Sequence, residues 1–194
     1  MSHYFINDAG LEHKHIEITF CFNGRTFVFK SDAGVFSSKK PDSASVLLLK
    51  SIPELSGALL DLGCGYGLTG IVLNARNNLK LTQTDINARA VFLTKLNAGK
   101  NRVASDVFLS DGFENITDSF DAIALNPPVH AGKKTVYGLF EGSFAHLRAN
   151  GALYTVMLKK HGAYSAVKKL AQLFGNCEII NKKAGIICFR SVKT

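Results

Sequence analysis

The tetrapeptide Asn126-Pro127-Pro128-Val129 directly follows the apolar run 120–125. Proline ends a strand and has no N–H, so the two prolines predict that the carbonyls of Asn126 and Pro127 lack ladder partners. With the Asn126 amide oxygen, these carbonyls are acceptors that can hold a planar –NH2 group. An isolated Asn-Pro-Pro is also a common rigid exit from a strand, in which the asparagine only caps a turn. The tetrapeptide alone leaves both interpretations open.

A glycine-rich turn lies between an apolar strand and a helical pattern in residues 59–70. Gly63, Gly65 and Gly67 allow the backbone to bend tightly and to approach a ligand closely. The helix N-terminus behind the turn favours a carboxylate or a phosphate group. These features predict a nucleotide-like cofactor. Residues 65–70 also satisfy the G-x-G-x-x-G pattern, so the glycines do not exclude a nicotinamide site.

Two acidic residues narrow the choice of cofactor. Asp85 ends the next predicted strand, where a carboxylate can bind two ribose hydroxyls. Asp61 stands two residues before the first glycine of the turn. A carboxylate at that position repels a pyrophosphate but accepts a hydrogen bond from an ammonium group. Asp61 therefore favours a cofactor that carries an ammonium group over a dinucleotide.

With these residues the chain resembles the class I S-adenosylmethionine-dependent methyltransferases, specifically the small-domain group that includes the bacterial ribosomal RNA small-subunit guanine-N2 methyltransferases. The resemblance covers nearly the whole chain, because short motifs occur in the same order. These motifs are His3-Tyr4-Phe5, Gly34-Val35-Phe36-Ser37, Asp61-x-Gly63-x-Gly65, Asp85, Asp111-Gly112, Asn126-Pro127-Pro128 and Lys133.

The resemblance implies methyl transfer from S-adenosylmethionine to an exocyclic amine of a nucleobase in RNA, with guanine N2 of small-subunit ribosomal RNA as the preferred target. The expected partner is RNA, either ribosomal RNA or a small-subunit particle. Asn126 and Pro127 are the expected catalytic residues. Asp111 is expected to bind the adenine amino group, although an Asp-Gly turn alone also explains it, and Phe36 is a candidate for the cofactor entrance. The full set expected to bind the cofactor is Phe36, Asp61, Gly63, Gly65, Gly67, Asp85, Asp111 and Asn126.

The chain departs from the family pattern at Val129, where related enzymes commonly carry an aromatic residue that stacks on the target base. Stacking is then expected from Phe36 or Tyr137. The familiar guanine-N2 enzymes also carry an extra N-terminal, catalytically silent copy of the domain, and this chain has one copy. Substrate selection is therefore expected to rest on the surface of the chain or on a partner.

The formal net charge of +8 and the pI near 9.4 are compatible with RNA as a partner. Lysines follow the Asn-Pro-Pro turn and the strand 151–158, so both clusters are predicted at the C-terminal sheet edge. Lys168 and Lys169 lie within a helical pattern and are predicted to form its solvent face. His130 is predicted either to contact RNA or to be a solvated loop residue. The residues expected to bind substrate are Pro128, Val129, His130, Lys133, Lys134, Lys159 and Lys160.

The composition agrees with a single cytoplasmic enzyme domain. The chain has 194 residues with 46% hydrophobic content, which suffices for one core. No apolar run approaches the roughly 20 residues needed to span a bilayer, and the N-terminus lacks a signal-peptide pattern. The four cysteines are widely spaced, so neither a disulfide nor a metal site is predicted. The sequence does not predict the oligomeric state.

The order of elements predicts an α/β fold. Asn23-Gly24 between two apolar runs predicts a leading β-hairpin. Strands and helices then alternate, which predicts a doubly wound, mostly parallel, seven-stranded Rossmann-like sheet. Residues 177–181 and 185–191 are predicted to close this sheet as an antiparallel hairpin, and residues 135–149 are predicted to be helical. The expected division is a hairpin extension, 1–40, and a methyltransferase domain, 41–194.

Three other functions compete with this interpretation. A protein glutamine-amide methyltransferase uses the same Asn-Pro-Pro acceptors to hold an –NH2 group, but normally with an aromatic fourth residue and an added recognition domain. A nicotinamide-dependent oxidoreductase fits the glycines and leaves Asn126-Pro127-Pro128 unexplained. A non-catalytic binding module can keep the fold and lose the chemistry, but the presence of Asp61, Asp85 and Asn126 argues against it.

Overall fold

The structure, a computed structural model, describes residues 16–32, 35–37 and 39–194. The motif His3-Tyr4-Phe5 and residue Gly34 lie outside the described residues. The elements in chain order are β1 (Ile16–Phe22), β2 (Arg25–Ser31), α1 (Ser43–Ser51), β3 (Ala58–Leu62), α2 (Leu68–Asn77), β4 (Lys80–Asp85), α3 (Ala88–Lys100), β5 (Asp106–Leu109), β6 (Phe120–Leu125), α4 (Lys133–His146), β7 (Leu147–Leu158), α5 (Ala163–Phe174), β8 (Glu178–Lys183) and β9 (Ile186–Val192).

Seven of these strands form one sheet in the order β5-β4-β3-β6-β7-β9-β8. The first five strands of this order, from β5 to β7, are parallel to one another. Strand β9 is antiparallel to both β7 and β8. The doubly wound sheet and its antiparallel closing hairpin are confirmed. No helix in the described ranges is both long enough and apolar enough to cross a membrane.

The sheet separates two apolar cores, because successive side chains of a strand point to opposite faces. In β6, Ala122 and Ala124 face the core that includes α1, α2 and α3, whereas Ile123 and Leu125 face the core that includes α4 and α5. All five residues of β3 are buried. Helices therefore cover β3 and β6 on both faces, as expected for parallel strands.

The leading hairpin is confirmed, with positive φ at Asn23 (48°) and Gly24 (77°) in its two-residue turn. Its second strand, β2, pairs with β1 and also binds the asparagine side chains at the C-terminal end of α3. Asn97 Oδ1 accepts from Lys30 N at 2.7 Å, and Asn97 Nδ2 donates to the Tyr66 carbonyl at 2.8 Å. Asn97 thus links the hairpin to the glycine turn. The division of the chain at residue 40 stays a prediction.

The boundary between α4 and β7 differs from the predicted one. The helix ends at His146, and β7 begins at Leu147, inside the segment predicted to be helical. Leu147 is buried and pairs with Phe120 on the neighbouring strand β6. Pairing with β6 therefore prevails over the helical pattern of the sequence, since it buries Leu147 in the core of α4 and α5.

Gly70 allows α2 to approach the sheet, and we predict that Gly70→Ala destabilises the protein. A Cβ at this position would lie 2.5 Å from Gln83 Nε2 and 2.9 Å from Asp61 Oδ2. Overpacking of a core typically costs about 1–3 kcal/mol, more than the ~1 kcal/mol that alanine gains over glycine in a helix. Urea denaturation measures the difference.

Gly138→Ala in α4 is the matched control, because nothing lies within 4 Å of its added Cβ. This variant should be as stable as the wild type or more stable. A Gly70→Ala variant that gains as much stability as Gly138→Ala would show that Gly70 is not needed for the packing of α2.

Candidate active site

The predicted site residues lie along one edge of the sheet in the order of the strands. Asp111 follows β5, Asp85 ends β4, the glycine turn follows β3, Asn126 follows β6 and Lys159 follows β7. Because these strands are parallel, their carboxyl ends meet at the same edge. The connections leave β3 and β6 in opposite directions, so the crevice between these strands is the topological switch point where ligands of such sheets bind.

The glycine turn is fixed to the end of β4. Gly63 N and Cys64 N both donate to the Thr84 carbonyl at 2.9 Å, and Gly65 N donates to Asp85 Oδ2 at 2.9 Å. Gly63 and Gly65 have φ values of 72° and 59°, and a Cβ on either residue would meet no atom within 4 Å. The turn therefore borders open space beside a carboxylate, which fits a cofactor bound against the backbone.

Asp85 is held in place by backbone N–H groups from both sides. Asn87 N donates to its Oδ1 at 2.9 Å, and Gly65 N donates to its Oδ2. Burial raises the pKa of Asp85, and these backbone hydrogen bonds oppose the shift because they favour the charged form. Each carboxylate oxygen accepts more than one hydrogen bond, so both can still accept from ligand hydroxyls.

Asp61 is buried under the glycine turn, with 4% of its surface exposed. Its Oδ2 accepts from Gly70 N at 2.8 Å and from Gln83 Nε2 at 3.0 Å. Burial raises the pKa of Asp61 to about 6, and the negative charge of Asp85 adds to this shift. Among the described residues, no protein group donates to Asp61 Oδ1. That oxygen is thus available to a cationic ligand group.

The amide of Asn126 is oriented by the first turn of α1. Asn126 Nδ2 donates to Asp42 Oδ2 at 3.1 Å and to Ser45 Oγ at 3.0 Å. Asp42 is also the N-cap of α1 and accepts from Ser45 N at 2.9 Å. The NH2 group of Asn126 therefore faces α1, and its Oδ1 remains as an acceptor.

The Pro127 carbonyl has no ladder partner, as predicted, but it does accept a hydrogen bond within a turn. Pro128 has φ −75° and ψ 77°, the values of an inverse γ-turn, and Val129 N donates to the Pro127 carbonyl at 2.9 Å. One lone pair of that carbonyl is used by the turn, and the second can still accept. Within the described ranges, the Asn126 carbonyl accepts from no protein donor.

The turns that follow β6 and β7 contact each other through two histidines. The rings of His130 and His161 lie with their centroids 5.4 Å apart in an edge arrangement. This contact brings the two segments with predicted substrate-binding lysines together at the edge of the sheet. The exposed lysines of these segments are Lys133, Lys134, Lys159 and Lys160.

Tyr137, one of two aromatic residues predicted to stack on a base, is already engaged by the protein. Its ring centroid lies 5.2 Å from Lys133 Nζ and 5.7 Å from Lys169 Nζ, and its hydroxyl donates to the Ser165 carbonyl at 3.3 Å. Phe36, the other candidate, is 53% exposed. The role of Phe36 in stacking stays a prediction.

The prediction that Lys169 only faces solvent is wrong. Lys169 forms an ion pair of 2.6 Å with Glu141 and lies over the ring of Tyr137, so it joins α5 to α4. Its neighbour Lys168 is exposed, as predicted.

Three residues at this edge were not predicted as part of the site. Asp42 and Ser45 are more than 80 residues from Asn126 in the sequence, so only the fold shows their contact. Ile86 directly follows Asp85 and is 38% exposed, which places an apolar surface beside the acidic residue. The sequence could have indicated Ile86, because an apolar residue there directly follows the acidic residue that ends a strand.

We predict that Asp61→Asn removes a pH-dependent loss of stability. Because the pKa of Asp61 is about 6 in the folded protein, against an ordinary value of 3.8, its contribution to stability is fully present below about pH 4 and is lost as the pH rises through 6. Relative to the wild type, the variant should gain on the order of 1–3 kcal/mol between pH 4 and pH 7.5. Urea denaturation at both pH values tests this.

Asp111→Asn is the control for Asp61→Asn, because Asp111 is exposed. An Asp61→Asn variant whose stability relative to the wild type does not change with pH would contradict the raised pKa.

Comparisons with known proteins agree with this geometry. The family model described as "Methyltransferase small domain" matches residues 26–190. The chain is 38% identical over 197 residues to YbxB of Bacillus subtilis (strain 168), described as an uncharacterized protein, and the match covers 98% of each chain. It is also 38% identical over 156 residues to ribosomal RNA small subunit methyltransferase C of Aeromonas hydrophila, covering 78% of this chain and 45% of that protein.

A solved structure shows the same fold. The Thermus thermophilus 16S rRNA N2 G1207 methyltransferase, in complex with AdoMet and guanosine, matches with a TM-score of 0.84 and 25% sequence identity, over 93% of this chain and 51% of that chain. The chain thus spans about half the length of the methyltransferase C relatives that it matches. The predicted resemblance is confirmed, and these matches support S-adenosylmethionine as the cofactor. The chain belongs to the methyltransferase small domain family.

Proposed function

We propose that this protein transfers a methyl group from S-adenosylmethionine to an exocyclic amine of a nucleobase in RNA, and that the amine is guanine N2 of small-subunit ribosomal RNA. The observation that carries the proposal is the Asn126 amide, whose NH2 group is bound by α1 so that its oxygen remains as an acceptor beside the glycine turn. The names of the methyltransferase C relatives support the RNA substrate.

The cofactor is proposed to lie along the β3, β4 and β5 side of the edge. Asp61 Oδ1 binds its ammonium group, and Asp85 binds the two ribose hydroxyls. Asp111 accepts from the adenine amino group, while the open space at Gly63 and Gly65 admits the cofactor close to the backbone. Phe36 and Gly67 complete the cofactor side, and Asn126, first expected to bind the cofactor as well, is assigned here to the target amine. When bound, S-adenosylmethionine supplies an electrophilic methyl group on a sulfonium.

The task of the protein is then to align the amine. Guanine N2 is a poor nucleophile, because its lone pair is delocalised into the ring. Alignment of two reacting groups can lower a barrier by roughly 7–11 kcal/mol. The Asn126 side chain and the carbonyls of Asn126 and Pro127 are proposed to accept from the amine and to stabilise the positive charge that develops on it. No general base is needed before the transfer.

The target base is proposed to enter between the Asn-Pro-Pro turn and the basic edge. Pro128 and Val129 border the base, and His130 contacts RNA. Lys133, Lys134, Lys159 and Lys160 bind phosphates. Phe36 supplies the stacking surface that Val129 does not.

Two alternatives make different demands on the same geometry. A nicotinamide-dependent oxidoreductase gives no role to the bonds between Asn126 and α1. A protein glutamine-amide methyltransferase uses Asn126 in the same way but acts on a protein, and the basic residues around the turn favour a polyanion instead. Methyl transfer to RNA accounts for both features.

We predict that Asn126→Ala impairs methyl transfer and leaves the affinity for S-adenosylmethionine nearly unchanged. Removal of one positioned polar group in an active site can cost about 10²–10³ in rate. Single-turnover transfer to small-subunit ribosomal RNA measures the rate, and calorimetry measures the affinity. Asn126→Asp should also be impaired, because its new carboxylate would lie beside Asp42, whose Oδ2 is 3.1 Å from the Asn126 amide nitrogen.

Asn176→Ala is the control, since it removes an amide that also makes hydrogen bonds, to Phe174 and Val192, away from the strand ends of the site. It should transfer methyl at the wild-type rate. If Asn126→Ala did so as well, the turn would be only a strand exit.

A further inference from the structure

The net positive charge of the chain comes from residues 122–194. Residues 1–121 contain 12 Lys and Arg against 13 Asp and Glu, whereas residues 122–194 contain 11 Lys and Arg against only Glu141 and Glu178. The sheet order places β3, β4 and β5 on one side of the switch point and β6, β7, β9 and β8 on the other. The net positive charge therefore lies on the Asn126 side of the sheet.

The turn between β8 and β9 lies at the same edge. The register of β7 and β9 ends with Leu158 opposite Ile186, and Lys159 N donates to the Gly185 carbonyl at 2.8 Å. Lys182 and Lys183, at the end of β8, are exposed. The turn thus extends the basic edge beyond Lys159.

Neither Lys182 nor Lys183 takes part in any of the ion pairs found in the described ranges. Of the two acidic side chains in residues 122–194, Glu141 pairs with Lys169 at 2.6 Å. The other, Glu178, begins β8 and so lies at the opposite end of that strand from Lys183. The ammonium groups of Lys182 and Lys183 are therefore available to an anionic partner.

We infer that the β8–β9 turn is an RNA-binding element, in which Lys182 and Lys183 bind phosphates that flank the target nucleotide. Three interstrand spacings separate β6 from β8, or about 14 Å at ~4.8 Å each, which spans several phosphates of one strand. Lysine suits this role because it binds phosphates as a point charge without reading sequence. The inference rests on the proposed function for its choice of RNA.

The test compares Lys182→Gln/Lys183→Gln with Lys50→Gln/Lys95→Gln, which removes the same charge from two exposed helical lysines outside this edge. Binding of a fluorescein-labelled, single-stranded fragment of small-subunit ribosomal RNA is measured by anisotropy at several salt concentrations. For two phosphate contacts, the slope of log K against log salt should fall by about 1.4 in the first variant. It should stay at the wild-type value in the second.

Equal slopes in the two double variants would overturn the role of the turn and leave the proposed function intact. Wild-type protein that shows no salt-dependent RNA binding would overturn both.

A second inference concerns the orientation of the Asn126 amide. An ionised carboxylate only accepts hydrogen bonds, so the group that faces Asp42 Oδ2 at 3.1 Å must be the NH2 group of Asn126. A flipped amide would place Asn126 Oδ1 against that carboxylate oxygen. Ser45 Oγ, 3.0 Å from the same nitrogen, adds a second bond.

We propose that Asp42 and Ser45 are positioning residues for the methyl transfer proposed above. Their bonds hold Asn126 Oδ1 toward the place of the target amine. The negative charge of Asp42 also polarises the amide, because hydrogen bonds in a chain strengthen one another. Asn126 Oδ1 thereby becomes a better acceptor for an amine that gains positive charge.

Asp42→Ser separates positioning from capping, because serine caps a helix about as well as aspartate. The rate of single-turnover transfer should fall roughly 10- to 100-fold, the effect of losing a hydrogen bond to a charged group, while the affinity for S-adenosylmethionine stays unchanged. The side-chain 15N–1H signal of Asn126, identified by its loss in Asn126→Ala, should shift. Ser43→Ala, at the exposed start of α1, should change neither the rate nor the signal.

A wild-type rate and an unshifted Asn126 signal in Asp42→Ser would overturn the positioning role alone. Wild-type protein that transfers no methyl group to RNA would overturn this inference together with the proposed function.

Discussion

The placement of β3 between β4 and β6 is the constraint on which the rest of the site depends. The parallel pairing on both sides brings the carboxyl ends of all three strands to one edge. The glycine turn then meets Asp85 on one side, and Asn126 stands on the other. A register slip of one residue in β3 would turn Asp61 to the opposite face of the sheet and remove it from Gly70 and Gln83.

Buried polar bonds fix each part of this edge. The carboxylate of Asp61 ties β3 to α2 and β4, and the carboxylate of Asp85 ties β4 to the glycine turn. The amide of Asn126 ties the end of β6 to α1. Burial raises the pKa of both carboxyl groups, so this arrangement is not optimised for stability at neutral pH. Such a cost is expected where a protein prepares a site for a charged ligand.

Local chemistry made much of the fold predictable. The hairpin was predicted from Asn23-Gly24, because few residue pairs adopt two consecutive positive φ values. Strand β6 was predicted at its observed bounds, since an apolar run with clear ends marks a buried parallel strand. The start of β7 was missed, because the pairing of Leu147 with Phe120 is a long-range contact that a helical pattern does not contain.

The same distinction holds for the site. The residues placed at the strand ends were predictable, because parallel topology alone brings them to one edge. The contact of Asn126 with Asp42 was not, since it joins two segments 84 residues apart. The missing ladder partner of the Pro127 carbonyl was predictable, but its turn hydrogen bond was not, since the sequence does not show that Pro128 forms an inverse γ-turn. The roles of Tyr137 and Lys169 likewise depend on how α4 packs against α5.

The central claim is that this edge aligns guanine N2 of RNA with a methyl donor. The most direct test incubates the protein with methyl-labelled S-adenosylmethionine, small-subunit ribosomal RNA and total cellular protein, and then separates the nucleosides and amino acids after digestion. The account predicts label in N2-methylguanosine from the RNA. Label in a glutamine amide of a protein, in another position of the RNA or in no product would contradict it.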